Sequence, residues 1–240
     1  MKATERHHLK QNEFAATTAR VVEAAMEHRS RILPIAGIIA LVLIVGGGFY
    51  YVQKRGADQA SAALGAAMAI AQSPVVPPPT LPGATQQAGT FPTDQARLEA
   101  ALKAFEEVAA KYPSDDSGLA AKYQMGATLL SLGRPADAET AFADVVQRAG
   151  SSSIYKSVAE LGRGQALASA GKYDEAIKTF TDLSAQRDGA LPVDGVLMQL
   201  ARTYVKAGKP QDARAAFKRV VDEFPGSPYI AEARQQLAGM

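Results

Sequence analysis

From Ile32 to Val52 the chain reads ILPIAGIIALVLIVGGGFYYV, a hydrophobic run without one charge. A helix of that length, rising about 1.5 Å per residue, covers a hydrocarbon layer of roughly 30 Å. Arg29 and Arg31 bound it on one side, and Lys54 and Arg55 on the other. Phe49, Tyr50 and Tyr51 fall at the second border, where amphipathic rings prefer the headgroup level. Pro34 sits in the first turn, where a missing N–H costs little. The pattern predicts a transmembrane helix over 32–52 behind an N-terminal tail over 1–31. A cleaved signal peptide is the alternative, but it requires a short basic leader and a shorter apolar stretch. Arg20, Arg29 and Arg31 stand against Lys54 and Arg55, which favours an inside amino terminus and an outside C-terminal domain. Within the tail, EFAATTARVVEAAME over 13–27 is either a soluble juxtamembrane helix or a weakly amphipathic one.

Past the run the pattern changes to apolar positions every three or four residues, the period of helices with one buried face. Those helices repeat. Gly133-Arg134, Gly171-Lys172 and Gly208-Lys209 each end one apolar helix and precede another. Each turn is followed at the same spacing by an Ala and a Phe: Ala138 and Phe142, Ala176 and Phe180, Ala213 and Phe217. An earlier copy, LEAALKAFEEVAAKYP, supplies Ala101 and Phe105, so that the four Phe are separated by 37, 38 and 37 residues. Seven residues before each turn glycine stands a small residue, Gly126, Gly164 or Ala201, where the two helices of a hairpin would cross closely. The Phe would fill the space between hairpins, because no single unit can bury its face alone.

The first hairpin lacks a visible turn. ADQASAALGAAMAIA fits as its first helix, with Gly65 at the small position and Met68 three residues on. It is separated from the helix carrying Phe105 by SPVVPPPTLPGATQQAGTFPT (73–93), which holds six of the thirteen prolines. Proline cannot continue a helix, so this stretch reads as an inserted loop. The period leaves room for further loop residues in SSSIY and RDGALPVDG. After Pro225, SPYIAEARQQLAGM reads as one closing helix.

Small residue in the first helix, Gly at the turn, then Ala and Phe, with Pro113 and Pro225 ending units, resembles the tetratricopeptide repeat family. Gly150 and Asp188 depart from the Pro position. The resemblance implies an all-α chain: one transmembrane helix, then an antiparallel helix-hairpin solenoid over 57–240 of about four repeats plus a capping helix. In such an array the first helices line a concave, protein-binding face, which on this register carries Tyr123, Leu130, Leu161, Gln165, Met198, Arg202 and Lys206. The subclass that clamps a C-terminal carboxylate uses Asn where this chain has Ala127, Gln165 and Arg202, so such clamping is not expected. By order of parts the chain also resembles the membrane-anchored ancillary subunits of the bacterial Sec translocon, whose repeat domain is shared with a periplasmic cell-division coordinator. That layout implies a bacterial inner-membrane protein with its C-terminal domain in the periplasm. Its partners would be translocon subunits, periplasmic chaperones and translocating clients, or else envelope complexes that it tethers for division or outer-membrane assembly.

Composition adds exclusions. Only 7% of residues are aromatic and there is no Cys, so disulfides, thiolate metal sites and thiol nucleophiles are out. Residues 1–55 hold eight Lys/Arg against four Asp/Glu, whereas the rest holds eighteen against twenty. The basic excess therefore sits beside the apolar run and not on a nucleic-acid-binding domain. His7, His8 and His28 lack further ligands at metal spacing. Asp115-Asp116 and Glu106-Glu107 are neighbours and cannot face each other across a cleft. Gly46-Gly47-Gly48 lacks the Lys-Ser/Thr of a phosphate loop. No enzyme, cofactor, metal or small-molecule substrate is expected.

Overall fold

The computed structural model describes residues 29–78, 86–150, 154–186 and 189–240, with side chains in the first helix given from 41 onward except 49, 52 and 53. The tail helix expected over 13–27 and all three histidines lie outside the described residues. The chain divides into two compact units, Met1–Gly56 and Ala57–Met240.

Helix α1 (Arg29–Ala71) runs through the expected anchor, of which 32–40, 49 and 52 lie outside the residues with described side chains. Among the described residues no helix is long and apolar enough to cross a membrane. Helices α2 (Asp94–Lys111), α3 (Asp116–Ser131), α4 (Pro135–Arg148) and α5 (Ile154–Ser169) follow. The rest are α6 (Tyr173–Ser184), α7 (Val193–Lys206), α8 (Pro210–Glu223) and α9 (Ile230–Ala238). Apart from an isolated parallel bridge between Val75 and Phe91, the described secondary structure is helical.

Local chemistry sets the helix ends. The Thr93 hydroxyl accepts from the Ala96 N–H at 3.1 Å, and the Asp115 carboxylate accepts from the Ser117 N–H at 2.8 Å, each relieving an orphan donor. Pro135 and Pro210 open α4 and α8, where no N–H is needed. The turn glycines 133, 171 and 208 take φ of 71°, 77° and 68°, the left-handed region that an added Cβ disfavours. Around each, the next residue donates back over the turn: Arg134 to Leu129, Lys172 to Leu167 and Lys209 to Tyr204, all at 2.9 Å. Three αα-hairpins result, α3–α4, α5–α6 and α7–α8, and α9 closes the array.

The C-terminal part of α1 and α2 form the first hairpin. Ala67, Ala101, Phe105, Val108 and Ala121 share a core there, with Ala63, Leu64, Met68 and Ile70 packed against it. Gly65 is not the close-approach residue the sequence predicts. It is exposed, and a Cβ added to it would meet nothing within 4 Å. Ala60 and Ala67, one heptad apart, are the buried small residues, and Gly65 lies two residues from Ala67, about 200° around the helix. The loop at 72–93 is closed at its base: Val76 and Phe91 donate to Phe91 and Pro74 carbonyls at 2.9 and 3.1 Å. The Gln86 amide adds a bond to the Val76 carbonyl at 2.9 Å. The loops at SSSIY and RDGALPVDG lie partly outside the described residues.

Phe105, Phe142, Phe180 and Phe217 are each at most 1% exposed, and Ala101, Ala138, Ala176 and Ala213 are fully buried. A Cβ on Gly126 would approach the Phe142 ring to 2.8 Å, and one on Gly162 to 2.7 Å. The ring is thus held between two glycine surfaces, one on its own hairpin and one on the next. Gly164 offers the same seat to Phe180, at 2.5 Å.

A candidate protein-binding groove

Successive first helices of the hairpins expose one stripe each, and the stripes line a groove of about 460 Å³. On α7 the stripe is Gln199, Arg202 and Lys206, spaced three and four apart as one helix face requires, with the buried Thr203 behind them. On α5 it is Gln165, Ala168 and Ser169. Leu130 enters from the end of α3 and Gln236 from α9, while the Phe180 and Phe217 rings reach the floor. The hairpin turns fix this arrangement, because they bring equivalent helix ends to one edge of the stack.

Four of the seven residues expected on the concave face line this groove: Leu130, Gln165, Arg202 and Lys206. Met198 does not. It is fully buried in the core shared by α5 to α9, one residue and about 100° from Gln199, and so it is a packing residue. Leu161 packs against the same core, partly buried. Tyr123 is half-buried, its ring tilted 57° against Phe142 with centroids 5.5 Å apart. Gln199, Val205 and Gln236 line the groove without having been expected there. Gln199 was legible as the residue three before Arg202. Gln236 was not, because α9 stands outside the repeat register.

The electrostatics of the groove centre on Arg202. Its guanidinium donates to both oxygens of Glu232 on α9, at 2.9 and 2.6 Å. That bidentate pair holds the Glu232 carboxyl below the usual carboxylate range and raises the Arg202 guanidinium. The buried Thr203 hydroxyl turns inward and donates to the Gln199 carbonyl at 2.7 Å. Lys206 is exposed and has no ion pair among the described residues. A second hollow, about 570 Å³, is lined by Lys122, Asp144 and Arg148, where the Asp144 carboxylate pairs with both cations at 3.3 and 2.8 Å. Among the described residues no three His, Cys, Asp or Glu are grouped to hold a metal.

Other ion pairs tie hairpin to hairpin. Glu139 on α4 receives Lys172 at 2.9 Å and Arg163 at 3.5 Å, and Asp174 on α6 receives Lys209 at 2.7 Å. The Lys172 hydrogen bond is the main cause that lowers the Glu139 carboxyl.

Family models described as tetratricopeptide repeat match residues 167–237 in one case, and 94–154 and 123–192 in another. A search of curated proteins gives no match. Among solved structures, the chain is similar to a Podosopora anserina putative kinesin light chain with nearly identical TPR-like repeats. The likeness is at 18% identity and a TM-score of 0.52, over 60% of this chain and 77% of that one. A single-residue variant of the same protein gives 18% identity and 0.53, over 60% and 76%. MamA matches at 19% identity and 0.48, over 59% and 75%. At such identities the first two bear on the fold alone. With repeat models matched from 94 to 237 and a buried Phe at each period within them, the chain belongs to the tetratricopeptide repeat family.

Proposed function

We propose that this protein is a membrane-anchored scaffold, an ancillary subunit of chaperone type at the bacterial Sec translocon, which holds other proteins in the groove of its repeat domain. The repeat family serves protein interaction and not catalysis. The observation that carries the binding role is the groove itself. It offers apolar surface at Leu130, Ala168 and Val205 beside amide and cationic groups, which suits an extended segment or a helix more than a small metabolite. The anchor is supported by the charge-free run and by the side chains of Leu41, Val42, Leu43, Ile44 and Val45, which are 62–72% exposed in succession. A helix apolar all round is one that buries its surface, in a protein core or in lipid. The periplasmic placement and the translocon rest on the order of tail, anchor and repeats.

Photo-crosslinking from Val205 in the full-length protein in membranes tests the reading. Recovery of the Sec channel together with many precursors is the expected result. One stable envelope partner instead would replace it with an adaptor for division or outer-membrane assembly, and recovery of neither would overturn both. A reporter fused after Met240 should be active in the periplasm, and a cytoplasmic signal removes every periplasmic role.

A further inference from the structure

We infer that the groove selects segments bearing an acidic side chain, and that Glu232 on the closing helix is their built-in competitor for Arg202. The inference rests on the groove being the protein-binding surface. Its charged lining is wholly cationic, Arg202 and Lys206, and the remaining polar side chains there are amides and hydroxyls. The two cations stand four residues apart on α7, one turn along the same face, where neighbouring side chains lie about 5–6 Å apart. Arg202 presents a planar fork that matches a carboxylate with two parallel bonds. In this structure that fork is filled from within the chain, by Glu232 at 2.6 and 2.9 Å. Lys206 remains open.

Among the described residues, an incoming segment therefore meets one cation without an ion pair and one that is already satisfied. The pair is 39% exposed on each side, so either oxygen can be exchanged for another carboxylate without the large cost of stripping a buried ion. Next to the cations, Val205 is 45% exposed and supplies apolar surface for a short side chain. The matching ligand is an extended segment with a Glu or Asp beside a small apolar residue. Its carboxylate lands first on Lys206 and then displaces Glu232 from Arg202. Because the Arg202–Glu232 pair also fastens α9 to α7, binding and the docking of α9 oppose each other, and the coupling is reciprocal.

The test uses the full-length protein in detergent micelles and short end-blocked peptides of alanine and valine that carry Glu, Gln or Lys at one position. Fluorescence anisotropy should show the Glu peptide binding about tenfold more tightly than the other two, with the difference shrinking in high salt. Lys206→Glu should abolish the preference. Glu232→Gln should tighten the Glu peptide about threefold or more and raise amide exchange in α9, with helicity by circular dichroism unchanged elsewhere. Equal binding of the Glu and Gln peptides, binding of no peptide, or a Glu232→Gln protein that binds no tighter would overturn the proposal. If Val205 crosslinks still capture proteins in that event, acid selection falls and the scaffold reading stands.

Discussion

Phe142 shows how single residues set the geometry of the stack. Its ring is 1% exposed and lies against Gly126 on one hairpin and Gly162 on the next, so there is nowhere for it to retreat. Gly162→Ala should therefore cost about 1–3 kcal/mol through overpacking, read as a lower urea midpoint with an unchanged slope. Gly171→Ala should cost about 1–2 kcal/mol for a different reason, since φ there is 77° and there is no clash to relieve. Gly65→Ala should do the opposite. With open space at its Cβ and a helical backbone, the substitution should stabilise by up to about 1 kcal/mol. The three glycines occupy three physical situations, and a midpoint measurement separates them. In the sequence the three looked alike except for spacing. Gly126 and Gly164 were found by counting back from a turn glycine. The first hairpin has a proline-rich insertion in place of that marker, and so the count that chose Gly65 had no fixed origin.

Between elements, the ion pairs decide how the stack responds to acid. Glu139 accepts from Lys172 across the junction of two hairpins, and Glu232 accepts from Arg202 across the junction with the closing helix. Both carboxyls sit below their ordinary value of 4.5 because of these partners. A carboxyl depressed on folding adds stability that is fully present above its unfolded value. That stability is lost as pH falls through the folded value. The melting temperature should hold steady at neutral pH and decline below about pH 4.5. Glu139→Gln should melt lower at neutral pH and show a shallower acid decline. An acid profile identical to that of the unsubstituted protein would mean that the junction pair contributes nothing. These pairs were not legible in the sequence. Lys172 and Glu139 are 33 residues apart and Arg202 and Glu232 30 apart, and no local rule links such positions.

At the scale of the whole repeat domain, the cores are not independent. One buried cluster runs from Leu167 through Phe180 and Phe217 to Ala233, so the third and fourth hairpins and α9 share a single core. Phe142 belongs to a second cluster, which joins the second hairpin to α5. In a quasi-one-dimensional array, damage spreads through neighbours and weakens with distance. Phe217→Ala should therefore cost about 3–5 kcal/mol and raise hydrogen exchange first in α7, α8 and α9, with α2 to α4 protected longest. Uniform loss of protection from α2 to α9 would mean that the array melts as one unit.

The sequence by itself determined the helical period, the hairpin turns at Gly133, Gly171 and Gly208, and the four phenylalanines that fill the stack. Each of these is a local requirement: a left-handed turn, a small surface, a ring too large to leave in water. Which apolar residue of a helix faces outward was a matter for tertiary structure. VLMQL in α7 offers four apolar side chains in five positions, and packing against several other helices buries Val196, Leu197, Met198 and Leu200 alike. Only the assembled stack leaves Val205 on the surface, and only α9, packed against α8, brings Glu232 to Arg202. Contacts between residues far apart in the chain follow from the angle at which hairpins stack, and that angle is the summed result of packing along the whole array.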